Sequence, residues 1–562
     1  MHLTRTSYDF HKQLDTPFQF ARRERRTLLV CAGLFSLVLL AIVLAVDPAF
    51  FYPRLSSDPL NYVLKARSLV DAGTLDARWA VNLQPFQYVS MPGVLRAPVV
   101  MAFPEFDQQL RGMQILNIPI MAAVAAMSAY IFSWVLPRSR HWLAILFAFA
   151  FTLISPVWLA NIFLPLADSP YAAFTLATIL VAIELLCSEK PMVSRPVLLA
   201  VFIGLFTVSF LLRFTAPVLL LFIAPLAFAR LRSRGLSAGV MWLSLAVALA
   251  LVAALVVLNA DAIFGRYFNE PLSFFRRGEK PGMLINLFGA AFPTQILPTF
   301  QLGFLHPPIV ETYSTSFSSA LPDMAWAAVG CMISAVIIAG MWLTRDRLLP
   351  EILYVVASLP VLTLMMPSTT RYLMPYQPFF WMFFYSGVAV LASRHAPWMV
   401  RLASSRTAVW TLVIAVTTLV LGLRTWKTAG TASERMHVVT VTSAPDFVAE
   451  VGGTFRSTRK YLETLPRDRA LLIGGRGTIG RWKAISGLDY YFPDSTFQRV
   501  AKEKDLYLIV ECGTLDACLA WNIYRYRALN RVTEVADVQL DSTFAAGTNR
   551  ARTQVYRVRA RN

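Results

Sequence analysis

Residues 22–46 read RRERRTLLVCAGLFSLVLLAIVLAV, four arginines followed by an uninterrupted apolar run from Thr27 to Val46. Such a run is as long as the hydrocarbon thickness of a bilayer requires of a helix, and no small-residue cleavage site follows it. The expectation is a retained signal anchor, with the basic residues 1–26 in the cytoplasm. The same pattern recurs along the chain, with apolar runs near 113–135, 141–159, 168–187, 196–211, 215–229, 239–259, 323–343, 350–366, 372–392 and 407–423. Arg138 and Arg140, Lys190 and Arg195, Arg230 with Arg232 and Arg234, Arg345 and Arg347, and Arg394, Arg401 and Arg406 mark cytoplasmic turns between them. These assignments alternate only if 284–305, broken by Pro293, Pro298 and Gln301, does not cross.

The predicted fold is thus an α-helical polytopic membrane protein with about eleven spans. It has a transmembrane domain over 27–423, external loops at 47–112 and 260–322, and a C-terminal domain over 424–562 outside the cytoplasm. Strand-like runs at Ala470–Ile473 and Leu506–Val510 predict that this last domain is small and α/β.

Composition agrees. Of 562 residues, 56% are hydrophobic and 15% charged, with mean hydropathy +0.54, more apolar surface than a water-soluble chain buries. The net charge of +19 does not mean nucleic acid, because the cations flank apolar runs and form no basic stripe interleaved with aromatics. Cys31, Cys187 and Cys331 lie in apolar segments and read as small hydrophobes, whereas Cys512 and Cys518 are placed to form a disulfide if their domain is external.

Four charged residues stand at predicted external helix ends, where charge is expensive without a use or a partner. Asp58, in Pro53-Arg-Leu-Ser-Ser-Asp-Pro-Leu-Asn-Tyr62, opens a helix expected to run to about Asp71 and stop at Gly73. Leu60, Val63, Leu64 and Val70 are expected on its membrane-facing side, with Lys65 and Arg67 elsewhere. Asp-Pro is a good helix start without chemistry, and a carboxylate fixed there is also suited to take a proton from a hydroxyl. Asp168, in Leu164-Pro-Leu-Ala-Asp-Ser-Pro-Tyr171, repeats the arrangement as a cap, or as a second acid that orients an acceptor, holds a metal or tunes the first. Arg213, in Phe210-Leu-Leu-Arg-Phe-Thr-Ala-Pro217, and Arg371, in Pro367-Ser-Thr-Thr-Arg-Tyr-Leu-Met-Pro-Tyr376, read either as interfacial anchors or as phosphate ligands, for which a planar, permanently charged fork is suited.

Taken in order, Asp58 with Tyr62 and Ala66, the stretch Arg111–Tyr130, Asp168, Arg213 with Pro217, and Arg371-Tyr372-Leu-Met-Pro375 resemble the motifs of the GT-C superfamily of membrane glycosyltransferases. The likeness is greatest to the aminoarabinose transferases and protein O-mannosyltransferases, and it covers roughly residues 27–392. The resemblance implies an inverting transfer of a hexose or pentose from a polyprenyl-phosphate donor to a glycan, lipid or protein acceptor outside a bacterial inner membrane, in the periplasm or cell envelope. It implies Asp58 as the base, Asp168 as the second acid, and Arg213, Arg371 and Tyr372 on the donor phosphate. Tyr62, Lys65 and Arg266 are then expected as donor or acceptor contacts. Many relatives have an acidic pair where this chain has Ser57-Asp58-Pro59, which leaves a divalent metal an open question.

Two other classes use many spans. A lipid or glycan transporter would place ionisable groups near the midplane of repeated halves, and an envelope assembly factor would leave both aspartates as caps. Gly475-Arg-Gly-Thr-Ile-Gly480, with Asp494 downstream, fits the dinucleotide-binding pattern after a strand. A helix interrupted by Gly487 and Pro493, on the wrong side of the membrane for nicotinamide cofactors, makes a glycine-rich turn the better reading.

Overall fold

The computed structural model describes residues 2–46, 48, 57–75, 91–154, 156–189, 191, 193–213, 215–233, 320–365, 370–395, 445–473, 482–491, 495–512, 536–545 and 552–561. The predicted spans at 239–259 and 407–423, the non-crossing stretch 284–305, Arg266, Cys518 and the Gly475–Gly480 motif lie outside them, as do the side chains of Asp58, Arg371, Tyr372 and Cys512.

Two short helices, α1 (His2–Gln13) and α2 (Pro17–Arg23), precede the first long one, α3 (Arg25–Ala45). The turn into α2 closes as a capping box, in which Thr16 and Gln19 each bond the other's backbone N–H. There follow α4 (Ser57–Ala72), α5 (Met91–Ala102), α6 (Phe106–Ser133), α7 (His141–Ile154), α8 (Pro156–Phe163), α9 (Asp168–Cys187), α10 (Arg195–Leu212) and α11 (Leu219–Ser233). Later come α12 (Ala320–Thr344), α13 (Leu349–Met365) and α14 (Gln377–His395).

Among the described residues five helical stretches are long and apolar enough to cross a membrane: α3, α6, α9, α10 and Ala216–Ser233. Their outer faces carry the side chains that a soluble protein would bury, among them Leu29, Leu34 and Leu37 of α3 and Val197, Leu199 and Ile203 of α10. Each such side chain left in water would cost about 1.5–3 kcal/mol, so these faces belong in lipid.

Over the expected span at 141–159 the described residues form α7 and α8, with Pro156 as the first residue of α8. The expected span at 372–392 begins later, because Thr370–Tyr376 forms a 3-10 turn around Pro375 and α14 starts at Gln377. α12 and α14 pack backbone to backbone at Gly340, where an added Cβ would collide with the Phe383 carbonyl oxygen.

The C-terminal region is a sheet domain. The helix α15 (Pro445–Glu463) precedes β1 (Ala470–Ile473), β2 (Tyr490–Tyr491), α16 (Phe497–Glu503), β3 (Asp505–Cys512), β4 (Ala536–Ala545) and β5 (Arg552–Ala560). The strand order is β2-β1-β3-β5-β4, parallel across β2-β1-β3 and antiparallel across β3-β5-β4. Every residue from Leu506 to Val510 is buried, as a strand covered on both faces requires, and Ile473, Leu506, Leu508, Val510 and Val558 build the core.

The chain divides into two compact units. The first comprises Met1–Leu37, Pro119–Asn161 and Asp168–Val420, and the second Val38–Ile118, Ile162–Ala167 and Leu421–Asn562. Within the second unit, Arg67 of α4 donates to Gln109 Oε1 at 3.0 and 2.9 Å and to the Ala484 carbonyl at 2.8 Å, and Arg459 of α15 pairs with Asp107 at 3.2 Å.

Candidate functional site

In the first unit, Asp168 is the first residue of α9 and Arg213 the residue that caps the C-terminus of α10. The two helices are consecutive and packed together, with 20 and 18 residues, hence roughly 30 and 27 Å long. Antiparallel neighbours of such similar length bring the start of one beside the end of the next. Arg213 Nη2 accordingly donates to Asp168 Oδ1 in an ion pair, with the carboxylate side chain 2% and the guanidinium 16% exposed. The anion that this outward arginine calls for is thus, in the first place, a carboxylate of its own chain.

Tyr171 and Thr215 lie on the same side of the bundle as the pair. The Arg213 guanidinium lies over the Tyr171 ring, 5.9 Å from its centroid, and the Tyr171 hydroxyl is 3.1 Å from Thr215 Oγ1. The 3-10 turn Thr370–Tyr376, which carries Arg371 and Tyr372, packs on α9. From its end Tyr376 lies against Tyr354 of α13, ring centroids 4.7 Å apart, and both are fully buried. The structure therefore gathers Asp168, Arg213 and the backbone segment of Arg371 and Tyr372 around α9. It adds Tyr171, Thr215, Tyr354 and Tyr376, which the sequence reading missed. Tyr171 and Tyr376 were within reach of that reading, since each stands a few residues from a singled-out charge at a helix start.

In the second unit, Asp58 is the second residue of α4, inside its first turn rather than at the cap. Gly73, at φ +67°, ends the helix as expected. Burial extends around this helix to its polar face as well as its apolar one. Lys65 is 3% exposed, and the whole segment Leu60–Ala66 is buried. What covers one side of it is α5, whose Arg96, also buried, lies over the Tyr62 ring at 5.7 Å and donates to the Pro92 and Leu166 carbonyls. Burial also pulls the Arg67 guanidinium below its ordinary pKa, with Asp71 acting in the opposite direction.

The turn 162–167, which precedes Asp168 in sequence, is held by side-chain amides of α6. Gln114 donates to the Phe163 carbonyl at 3.0 Å, and Asn117 to those of Ile162 and Leu164 at 3.1 and 3.3 Å. Buried carbonyls in a proline-containing turn need such donors, because no helix supplies them. Among the described residues no group of three or more His, Cys, Asp or Glu side chains gathers as a metal site would.

No family model matches the chain, and no curated protein matches it. Solved structures do. ArnT from Cupriavidus metallidurans, bound to undecaprenyl phosphate, is similar over 94% of this chain and 98% of its own, at 14% identity and TM-score 0.46. The archaeal oligosaccharyltransferase AglB from Archaeoglobus fulgidus, in complex with an inhibitory peptide and a dolichol-phosphate, is similar over 93% of this chain and 74% of its own, at 10% identity and TM-score 0.49. Both are members of the GT-C superfamily, the one that the ordered motifs resemble. At these identities neither neighbour assigns a role to any residue here.

Proposed function

We propose that this protein is an integral-membrane glycosyltransferase that moves a sugar, with inversion, from a polyprenyl-phosphate donor to an acceptor outside the cytoplasm. The observation that carries the reading is the Asp168–Arg213 pair at adjoining helix ends, with the Arg371-bearing turn packed on the same helix. A bundle whose charges gather at helix ends, beside tyrosine hydroxyls, is suited to an anionic lipid headgroup more than to a path through the midplane.

In the proposed reaction Asp58 takes the proton of the acceptor hydroxyl as that oxygen attacks the anomeric carbon. The bond to the donor phosphate breaks, and polyprenyl phosphate leaves with the electron pair. Arg213 and Arg371 neutralise the charge that grows on the departing phosphate, with Tyr372 beside Arg371. Asp168 acts by holding the Arg213 fork in one orientation. Arg266 serves the donor or acceptor as a further contact, and the C-terminal sheet domain lies on the periplasmic face of an inner membrane. No nucleotide and no covalent enzyme intermediate is needed, since the phosphate is already a competent leaving group.

The test is transfer of radiolabelled sugar from polyprenyl-phosphate-linked donors in reconstituted liposomes by wild type, Asp58→Asn and Arg371→Ala. Loss in both folded variants is expected, by about a hundredfold or more. Undiminished transfer by Asp58→Asn would remove the base, and vectorial movement of the lipid without transfer would make the protein a transporter.

A further inference from the structure

Helix α4 places Asp58, Asn61, Tyr62 and Lys65 at spacings of three, four and seven residues, within an arc of about 100°. This polar face is buried: Asn61, Tyr62 and Lys65 are 0, 5 and 3% exposed. Of the three, Asn61 is singular. Neither Nδ2 nor Oδ1 of its amide has a hydrogen-bond partner, and both atoms are sealed from solvent. A buried amide with both ends unmade is unfavourable to the ligand-free fold and is rarely kept without a compensating use. A leucine, similar in size, would fill the same space without the penalty.

We propose that Asn61 is a specificity-determining residue that reads the transferred sugar. The inference rests on the function proposed above and deepens it. The chemistry of the amide selects the ligand group. An amide offers donors on one side and an acceptor on the other. Phosphate oxygens only accept, so a phosphate would use Nδ2 and set its negative charge against Oδ1. A pair of neighbouring sugar hydroxyls, or an acetamido group with one N–H and one C=O, satisfies both ends at once. Asn61 therefore recognises the neutral sugar, one helical turn from the aspartate at which the acceptor is deprotonated, and leaves the phosphate to cations.

The test uses full-length protein in lipid nanodiscs with two probes, polyprenyl phosphate alone and polyprenyl-phosphate hexose. For Asn61→Leu the expected result is an unchanged Kd for the bare phosphate lipid and a Kd about tenfold weaker for the glycosylated one. The ligand-free thermal midpoint is expected to equal or exceed that of wild type, because the amide removed had no partner. Asn61→Ser, smaller and still polar, is expected to show the same selective loss and guards against a leucine that does not pack. Equal weakening of both lipids, or no weakening of either, overturns the inference and leaves Asn61 as a packing residue or a water ligand. A fall in midpoint without selective loss does the same. Wild type that binds neither probe overturns the proposed function itself, a distinguishable result.

Discussion

Among the described residues of the first unit, two buried ion pairs tie helix ends together, and they differ in how completely they are closed. At one, His11 of α1 meets Glu351 in the first turn of α13 at 2.6 Å, both side chains 0% exposed, inside a cage of Phe10, Trp134 and Phe222 rings. Ser7 and Tyr8 add bonds from the same helix, Ser7 Oγ to the Arg347 carbonyl and Arg230 Nη1 to the Tyr8 hydroxyl, each 2.8 Å. At the other, Asp168 holds an arginine that keeps 16% of its side chain open. A pair sealed on every side can only fix structure. One with a cation still partly accessible can hold a helix end and serve an incoming anion as well.

The largest effect is therefore expected at the closed pair. Glu351→Ala leaves His11 with a buried, uncompensated charge, and breaking a buried pair in this way costs about 3–5 kcal/mol. Unfolding in detergent micelles is expected to shift to markedly lower temperature, and transfer to fall only as far as folded protein is lost. If Glu351→Ala is as stable as wild type, α1 does not depend on this pair and the contrast collapses.

Asp168→Asn probes the open pair, with the opposite division of effects. Asparagine keeps an acceptor for Arg213 and suits a helix start, so the stability loss is expected to stay within about 1–2 kcal/mol. Without the carboxylate to hold its fork, Arg213 loses its orientation, and transfer is expected to drop by about a hundredfold. Measuring kcat and thermal midpoint on the same preparation checks both halves. A variant that loses stability and activity in proportion would make the two pairs equivalent.

The contrast also shows what a sequence exposes. Asp168 and Arg213 were visible singly, because charges at the ends of apolar runs are conspicuous. Their pairing was in principle legible too, since consecutive antiparallel helices of matched length level their ends. The His11–Glu351 pair was not. Its partners are 340 residues apart, and a twelve-residue helix of low hydropathy before the first span reads as a cytoplasmic tail until the groove that receives it exists. In α4 the helix and its glycine stop were foreseen from spacing and Gly73, whereas the burial of Lys65 depended on α5, a proline-containing helix that hydropathy alone did not single out. In the C-terminal domain the two buried strands declared themselves by apolar runs, while β4, with mostly exposed side chains, carried no such signal.

The smallest expected effect is a pH dependence confined to the closed pair. Both ring nitrogens of His11 face acceptors, Nδ1 the Ser7 carbonyl at 2.7 Å and Nε2 the Glu351 carboxylate. The ring must donate twice, as the imidazolium. Burial works against that charge, but Glu351 and the two hydrogen bonds outweigh it, and the pKa ends above its ordinary 6.5. A group whose folded pKa is raised contributes stability that is fully present below its unfolded value and is lost as pH rises through the folded one. The thermal midpoint of wild type is thus expected to hold up to about pH 6.5 and then decline toward alkaline pH, over and above the slope of a His11→Gln variant, which has no proton to lose there. Glutamine can still donate to Glu351, so the variant keeps a bond while losing the titration. Parallel midpoint curves for the two proteins would show that the ring is neutral in the fold, and the closed pair would then be a hydrogen bond without charge. Its sealing would in that case follow from the aromatic cage alone, and Asp168–Arg213 would stand as the charged pair of the two.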